Sequence, residues 1–96
     1  MNLNEEVASK REQVLHAAAH YDLRDVRVFG SAARGDDDDR SDIDLLVALG
    51  PRATGLDLGG FLMEMHDLFG RRVDVATEGM LNPRWRDRAL REAIPL

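Results

Sequence analysis

The sequence predicts an α/β (α+β) fold: a small mixed β-sheet of about three strands with helices packed against it. Two short runs, DVRVFG (25–30) and SDIDLLVAL (41–49), have the length and apolar, β-branched character of strands. A helical pattern ending at Phe69 leads directly into a third such run, RRVDVAT (71–77). A helix between two strands calls for parallel pairing and a right-handed crossover.

Taken in order, residues 3–20 read as a helix capped by Asn2 or Asn4, with acids in its first turn. Leu3, Val7, Val14, Ala18 and Tyr21 roughly follow helical spacing. The strand at 25–30 ends at Gly30, and SAARG follows as a turn or short helix. The strand at 41–49 is apolar on both faces in its later part, which places it centrally in the sheet. After the breaker GPRATG, Leu58, Phe61, Leu62, Met65, Leu68 and Phe69 form one apolar helical stripe, closed by Gly70 at a C′ position. The third strand follows, then a last helix opened by Asn82 as cap and Pro83 at N1. No repeat, linker or second domain interrupts the pattern, so residues 1–96 read as a single domain.

Composition narrows the function classes. The chain has 96 residues, 44% of them hydrophobic, which is enough for one core and too apolar for disorder. It has no cysteine, so disulfides, thiolate nucleophiles and cysteine-based metal sites are excluded. No apolar run approaches the roughly 20 residues that span a bilayer, and MNLNEEVASKREQ is no signal peptide. A cytoplasmic protein is therefore expected. The net charge of −5 argues against a general nucleic-acid binder. The charge is uneven, with acids dominating 36–44 and Arg84, Arg86, Arg88 and Arg91 near the C-terminus. Those arginines form either a solvated helix face or a basic flank to an acidic, metal-holding site. His16 and His20 sit at i, i+4 but lack a third ligand nearby in sequence, and they read, like His66, as ordinary helix residues.

The acids carry the chemistry. Asp42 and Asp44 lie two apart on a strand, so their side chains share a face, with α-carbons roughly 6–7 Å apart. Ile43 points to the opposite face, where Leu45 and Val47 continue it into the core. Asp74 lies mid-strand, where aspartate is depleted, and its strand is expected to run alongside. Neighbouring strands are about 4.8 Å apart, so three carboxylates converge on one small patch. Bare, they repel and raise one another's pKa; divalent cations remove the conflict. Two ions roughly 3.5–4 Å apart are the usual device for in-line phosphoryl or nucleotidyl transfer. Oxygen-only ligands select magnesium or manganese over zinc.

Such a site also needs a grip on phosphate. Gly30 and Ser31 follow the first strand directly, where a glycine permits a sharp turn and close approach to an anion. The turn is neither a Walker A loop nor a dinucleotide fingerprint. Its weight comes from lying just ahead of the aspartate pair. Asp36 to Asp39, between turn and strand, read as a solvated spacer rather than as ligands.

GSAARG-DDDDR-SDIDLLV resembles the signature of the minimal nucleotidyltransferases, a branch of the DNA polymerase β-like superfamily. Their pattern, G-S-x-A-R-G, a polar spacer and S-D-I-D-L, is matched by Gly30, Ser31, Ala33, Arg34, Gly35, Ser41, Asp42, Ile43, Asp44 and Leu45. The family's third acid matches Asp74, and the resemblance covers roughly residues 12–94. It implies transfer of AMP from ATP to an acceptor hydroxyl with two Mg2+ ions, Mn2+ being an alternative. Asp42 and Asp44 then bind both ions, and Asp74 completes the catalytic-metal site and also lowers the pKa of, or deprotonates, the attacking hydroxyl. Gly30 and Ser31 hold the β- and γ-phosphates, while Arg34 either reaches the triphosphate or braces the loop. Chains of this size resemble the antitoxin half of a toxin–antitoxin pair whose partner is a helical HEPN-type ribonuclease toxin, adenylylated on a tyrosine. Larger relatives carry an added acceptor domain, and this chain ends soon after its third acid, so the expected acceptor is a docking protein. Homo- or hetero-oligomers fit that reading. Trp85, Leu90, Ile94 and Leu96, with the arginines around them, are either the docking surface or part of the core. Two other readings stand beside it: a transferase for an aminoglycoside-like small molecule, and a non-catalytic antitoxin that neutralises its partner by binding alone.

Overall fold

The structure, a computed structural model, describes residues 4–35 and 41–96. The Asp36–Asp39 spacer lies outside the described residues. Two helices, α1 (Glu5–Ser9) and α2 (Arg11–His20), precede strand β1 (Leu23–Phe29) and the short helix α3 (Ser31–Arg34). Strand β2 (Ile43–Leu49), helix α4 (Gly55–Phe69) and strand β3 (Val73–Ala76) follow. A 3-10 turn (Glu78–Met80), helix α5 (Pro83–Glu92) and strand β4 (Ile94–Pro95) complete the chain.

The sheet order is β3-β2-β1-β4. β1 is antiparallel to both β2 and β4, while β2 and β3 are parallel, as their helical connection requires. Alternation gives the sheet two distinct faces. One buries Val26, Val28, Ile43, Leu45, Val47 and Val73 beneath the first two helices and α4, whose Phe61, Met65 and Phe69 are buried there. The other face carries a smaller cluster, Phe29, Leu46, Leu81 and Ala89, under α5. With both faces covered over residues 45–47, β2 is a central strand, as its apolar composition predicts, although Ala48 and Leu49 at its end are exposed.

Local chemistry sets the helix boundaries. Asn4 caps α1, its side-chain oxygen accepting the Val7 N–H at 3.1 Å. α4 starts at a Thr54–Asp57 capping pair, in which the Asp57 carboxylate accepts the Thr54 N–H at 2.8 Å. It stops at Gly70, which adopts the left-handed conformation at φ 63°. His66, read from sequence as an ordinary helix residue, places its Nε2 2.9 Å from the Val73 carbonyl and so ties α4 to β3.

Several elements differ from the sequence-based expectation, β3 among them, which spans Val73–Ala76 rather than 71–77. The helix expected over 3–20 breaks at Lys10. There the Ser9 hydroxyl donates back to the Glu6 carbonyl at 2.8 Å, and Lys10 Nζ reaches the Leu68 carbonyl at 2.8 Å. The first strand starts at Leu23 rather than 25, with an irregularity between Arg24 and Arg27 where Asp25 takes φ 52°. The sheet has a fourth strand: Ile94 and Pro95 pair with Val28 and Arg27. Two residues are too short to show any period, and proline is tolerated because the strand is an edge.

Candidate active site

The acidic residues gather at one end of the sheet, where β2 and β3 begin and β1 ends. Ser41 and Asp42 precede β2, which starts at Ile43 rather than at 41; the Ile43 N–H donates to the Arg72 carbonyl at 3.1 Å. Parallel pairing sets Asp44 directly opposite Asp74, and antiparallel pairing sets Phe29 opposite Asp44. Asp44, Asp74 and Phe29 therefore share the α5 face of the sheet, and Asp42, just before β2, is drawn to Asp74 by Arg72, which lies 3.6 Å from both carboxylates. Ile43 and Leu45 point into the opposite core and are fully buried. That burial fixes the register, since a one-residue slip would carry the carboxylates into the core.

Asp44 is the most enclosed of the three. Burial, and then the charges of Asp74 and Asp42, push its pKa from 3.8 up to about 6, while Arg34 and Arg72 pull it the other way. Arg72 lies between the other two, with Nε 3.6 Å from Asp42 Oδ2 and 3.6 Å from Asp74 Oδ1. Among the described residues, no three acidic or imidazole side chains are already closed on one point as a ligand set. The donor set nevertheless suits a hard divalent cation: three oxygen-bearing side chains at one sheet end, Asp44 and Asp74 in register on adjacent strands, with Asp44 ionisation suppressed by burial and by its acidic neighbours.

Gly30 shapes the space beside Asp44. It has φ 69° and ψ −153°, a conformation closed to ordinary side chains, and an added Cβ would lie 2.5 Å from Asp44 Oδ2. Position 30 is a glycine for two independent reasons. The chain then turns into α3, where Ser31 is half-buried and Ala32 and Ala33 are buried. Asn4 N–H donates to the Ala32 carbonyl at 2.8 Å, fixing this turn to the N-terminal segment. Arg34, at the end of α3, donates from Nη1 to Glu92 Oε2 at 2.9 Å, and Glu92 also accepts from Arg88 Nε at 3.1 Å. These two arginines lower the Glu92 pKa. The turn is thus tied to α5 through one carboxylate.

All six candidate residues, Asp42, Asp44, Asp74, Gly30, Ser31 and Arg34, fall at this end of the sheet. Two further residues of the site were not singled out from sequence. Arg72 precedes Asp74 by two in a run that reads as extended, a spacing that brings the two side chains to the same side. Glu92 had no local signal; only the packing of α5 brings it to Arg34. Of the segment expected to dock a partner or close the core, Leu90 packs on the smaller cluster and Ile94 and Leu96 on the larger one, while Trp85 is 51% exposed. His16 and His20 line a separate cleft between α2 and α4.

A mixed sheet that sets paired acids beside a glycine–serine turn defines a nucleotidyl-transfer domain. The chain belongs to the nucleotidyltransferase domain family, whose model matches residues 10–96. It is 33% identical over 94 residues to "Putative protein adenylyltransferase MJ0435" of Methanocaldococcus jannaschii, covering 98% of this chain and 97% of that protein. A solved chain described as "Structure of putative minimal nucleotidyltransferase" is 46% identical, with TM-score 0.84 and coverage of 96% and 94%. A second solved chain, from "Crystal structure of the toxin-antitoxin with AMP-PNP", superposes with TM-score 0.72 at 14% identity. It covers 88% of this chain and 69% of its own, and it shares the fold.

Proposed function

We propose that this nucleotidyltransferase is an antitoxin-type protein adenylyltransferase, moving AMP from ATP to a tyrosine hydroxyl of a cognate HEPN ribonuclease toxin and so silencing it. The observation that carries the proposal is the register of β2 and β3, which puts Asp44 opposite Asp74, with Asp42 just before β2. Support for a protein acceptor comes from the relative named as a protein adenylyltransferase. The toxin partner rests on the motif resemblance; the neighbour solved as a toxin–antitoxin with AMP-PNP supplies only the shared fold.

In the proposed reaction the tyrosine oxygen attacks the α-phosphorus of ATP, the bond from that phosphorus to the α–β bridging oxygen breaks, and pyrophosphate leaves. Asp74 takes the hydroxyl proton. Asp42, Asp44 and Asp74 would hold Mg2+, which when bound neutralises the reacting phosphates and lowers the pKa of the acceptor hydroxyl. Gly30 gives the triphosphate room beside Asp44, and Ser31 donates to its β- and γ-oxygens. Arg34 steadies the turn through Glu92 and brings positive charge toward the same space. The open acidic edge leaves the acceptor to be presented by the partner's own surface.

The test is transfer. Incubated with α-labelled ATP, magnesium and the proposed HEPN-type partner, this chain should label that protein, and Asp42→Asn or Asp44→Asn should abolish the label. Label passing only to a small hydroxyl compound would overturn the protein acceptor.

A further inference from the structure

We infer that Arg72 is the resident counter-cation of the acidic face: it holds Asp42 and Asp74 together when no divalent cation is bound and competes with that cation for them. The inference rests on the proposed use of the three carboxylates. It adds a residue whose charge sets how tightly they bind metal.

Register supplies the first observation. Ile43 pairs with Val73 at the start of β2 and β3, and the Ile43 N–H donates to the Arg72 carbonyl, so Asp42 and Arg72, the residues just before the two strands, lie side by side, with Asp74 two residues beyond Arg72. That brings the Arg72 guanidinium between the carboxylates of Asp42 and Asp74. Geometry supplies the second. Arg72 Nε is 3.6 Å from each carboxylate, close enough for charge pairing but beyond hydrogen-bond length. The third is freedom of movement: the Arg72 side chain is 70% exposed, and it meets the two aspartates at 3.6 Å rather than in a close, bidentate pair. A bidentate, buried arginine would be a permanent part of the fold. This one is a loosely held charge on two candidate metal ligands.

The consequence has a fixed sign. A hard cation needs the same oxygens, and it binds them at about 2.0–2.6 Å with a double charge. If Arg72 swings out, the cation must first displace it. If it stays, its positive charge repels the cation across a few ångströms. Either way, removing the charge tightens cation binding, by about three- to tenfold for an exposed site. The same charge relieves carboxylate repulsion in the metal-free protein, so its removal weakens that state.

Mn2+ binding without nucleotide, followed by electron paramagnetic resonance of the free ion at pH 8, tests the inference on the wild type, Arg72→Gln, Arg72→Lys and Asp44→Asn. Arg72→Gln should bind Mn2+ about three- to tenfold more tightly, and Arg72→Lys should stay near the wild type. In EDTA, Arg72→Gln should melt below the wild type, and magnesium should raise its melting temperature by the larger margin. Equal or weaker Mn2+ binding by Arg72→Gln would overturn the role assigned to Arg72. Mn2+ binding that Asp44→Asn leaves unchanged would instead overturn the carboxylate site beneath it.

Discussion

Asp44→Asn keeps the shape of the side chain and removes a charge that the fold holds at a cost. Burial and the neighbouring Asp74 and Asp42 raise the Asp44 pKa from 3.8 to about 6. At 1.36 kcal/mol per pKa unit, that interval corresponds to about 3 kcal/mol. Because Asp44 is only partly buried, solvent screening reduces the expected effect to about 1–2 kcal/mol. The sign follows from proton linkage: the folded state holds this proton more tightly than the unfolded chain does, so stability falls as pH rises from 3.8 to about 6 and stays reduced above it. In EDTA at pH 8, Asp44→Asn should therefore be more stable than the wild type by about 1–2 kcal/mol, a gain of several degrees in melting temperature. The advantage should fade below pH 6 and vanish near pH 3.8. Urea denaturation across that range measures it directly. Magnesium should stabilise the wild type and leave Asp44→Asn unmoved. A variant less stable than the wild type in EDTA at pH 8 would refute the reasoning, because it would mean that the Asp44 charge helps to hold the fold.

Gly30→Ala places a methyl group 2.5 Å from Asp44 Oδ2 at a positive φ, and should cost about 1–3 kcal/mol in denaturation while abolishing AMP transfer. Two glycines inside α4 should part ways. Gly59→Ala meets nothing within 4 Å and should stabilise by about 0.5–1 kcal/mol, whereas Gly60→Ala meets the Tyr21 ring at 2.7 Å and should destabilise. Asp57→Ala removes the carboxylate that accepts the Thr54 N–H and should cost about 1 kcal/mol by urea denaturation. Chelation with EDTA should stop AMP transfer, and added magnesium or manganese should restore it.

Much of the site could be read from the chain because period-two alternation is unambiguous where one face must be buried. Ile43, Leu45 and Val47 point into the core, so Asp42 and Asp44 cannot. The parallel partner strand was equally legible, since the apolar stripe from Leu58 to Phe69 specifies the crossover helix. What stayed hidden depends on contacts distant in sequence. The break at Lys10 needs the Leu68 carbonyl to receive its ammonium. The edge strand Ile94–Pro95 needs β1 beside it, and Glu92 joins the site only because α5 folds back over the sheet to meet Arg34. Arg72 was visible in principle: the reasoning that pairs Asp42 with Asp44 also pairs Arg72 with Asp74.

The most direct measurement pairs AMP incorporation into the proposed HEPN-type partner with loss of that protein's ribonuclease activity in a single time course. With wild-type protein, ATP and magnesium, the two should advance together, with AMP mapped to a tyrosine of the partner, and Asp42→Asn/Asp44→Asn should produce neither. Full neutralisation by that double variant, with no AMP on the partner, would contradict a catalytic antitoxin.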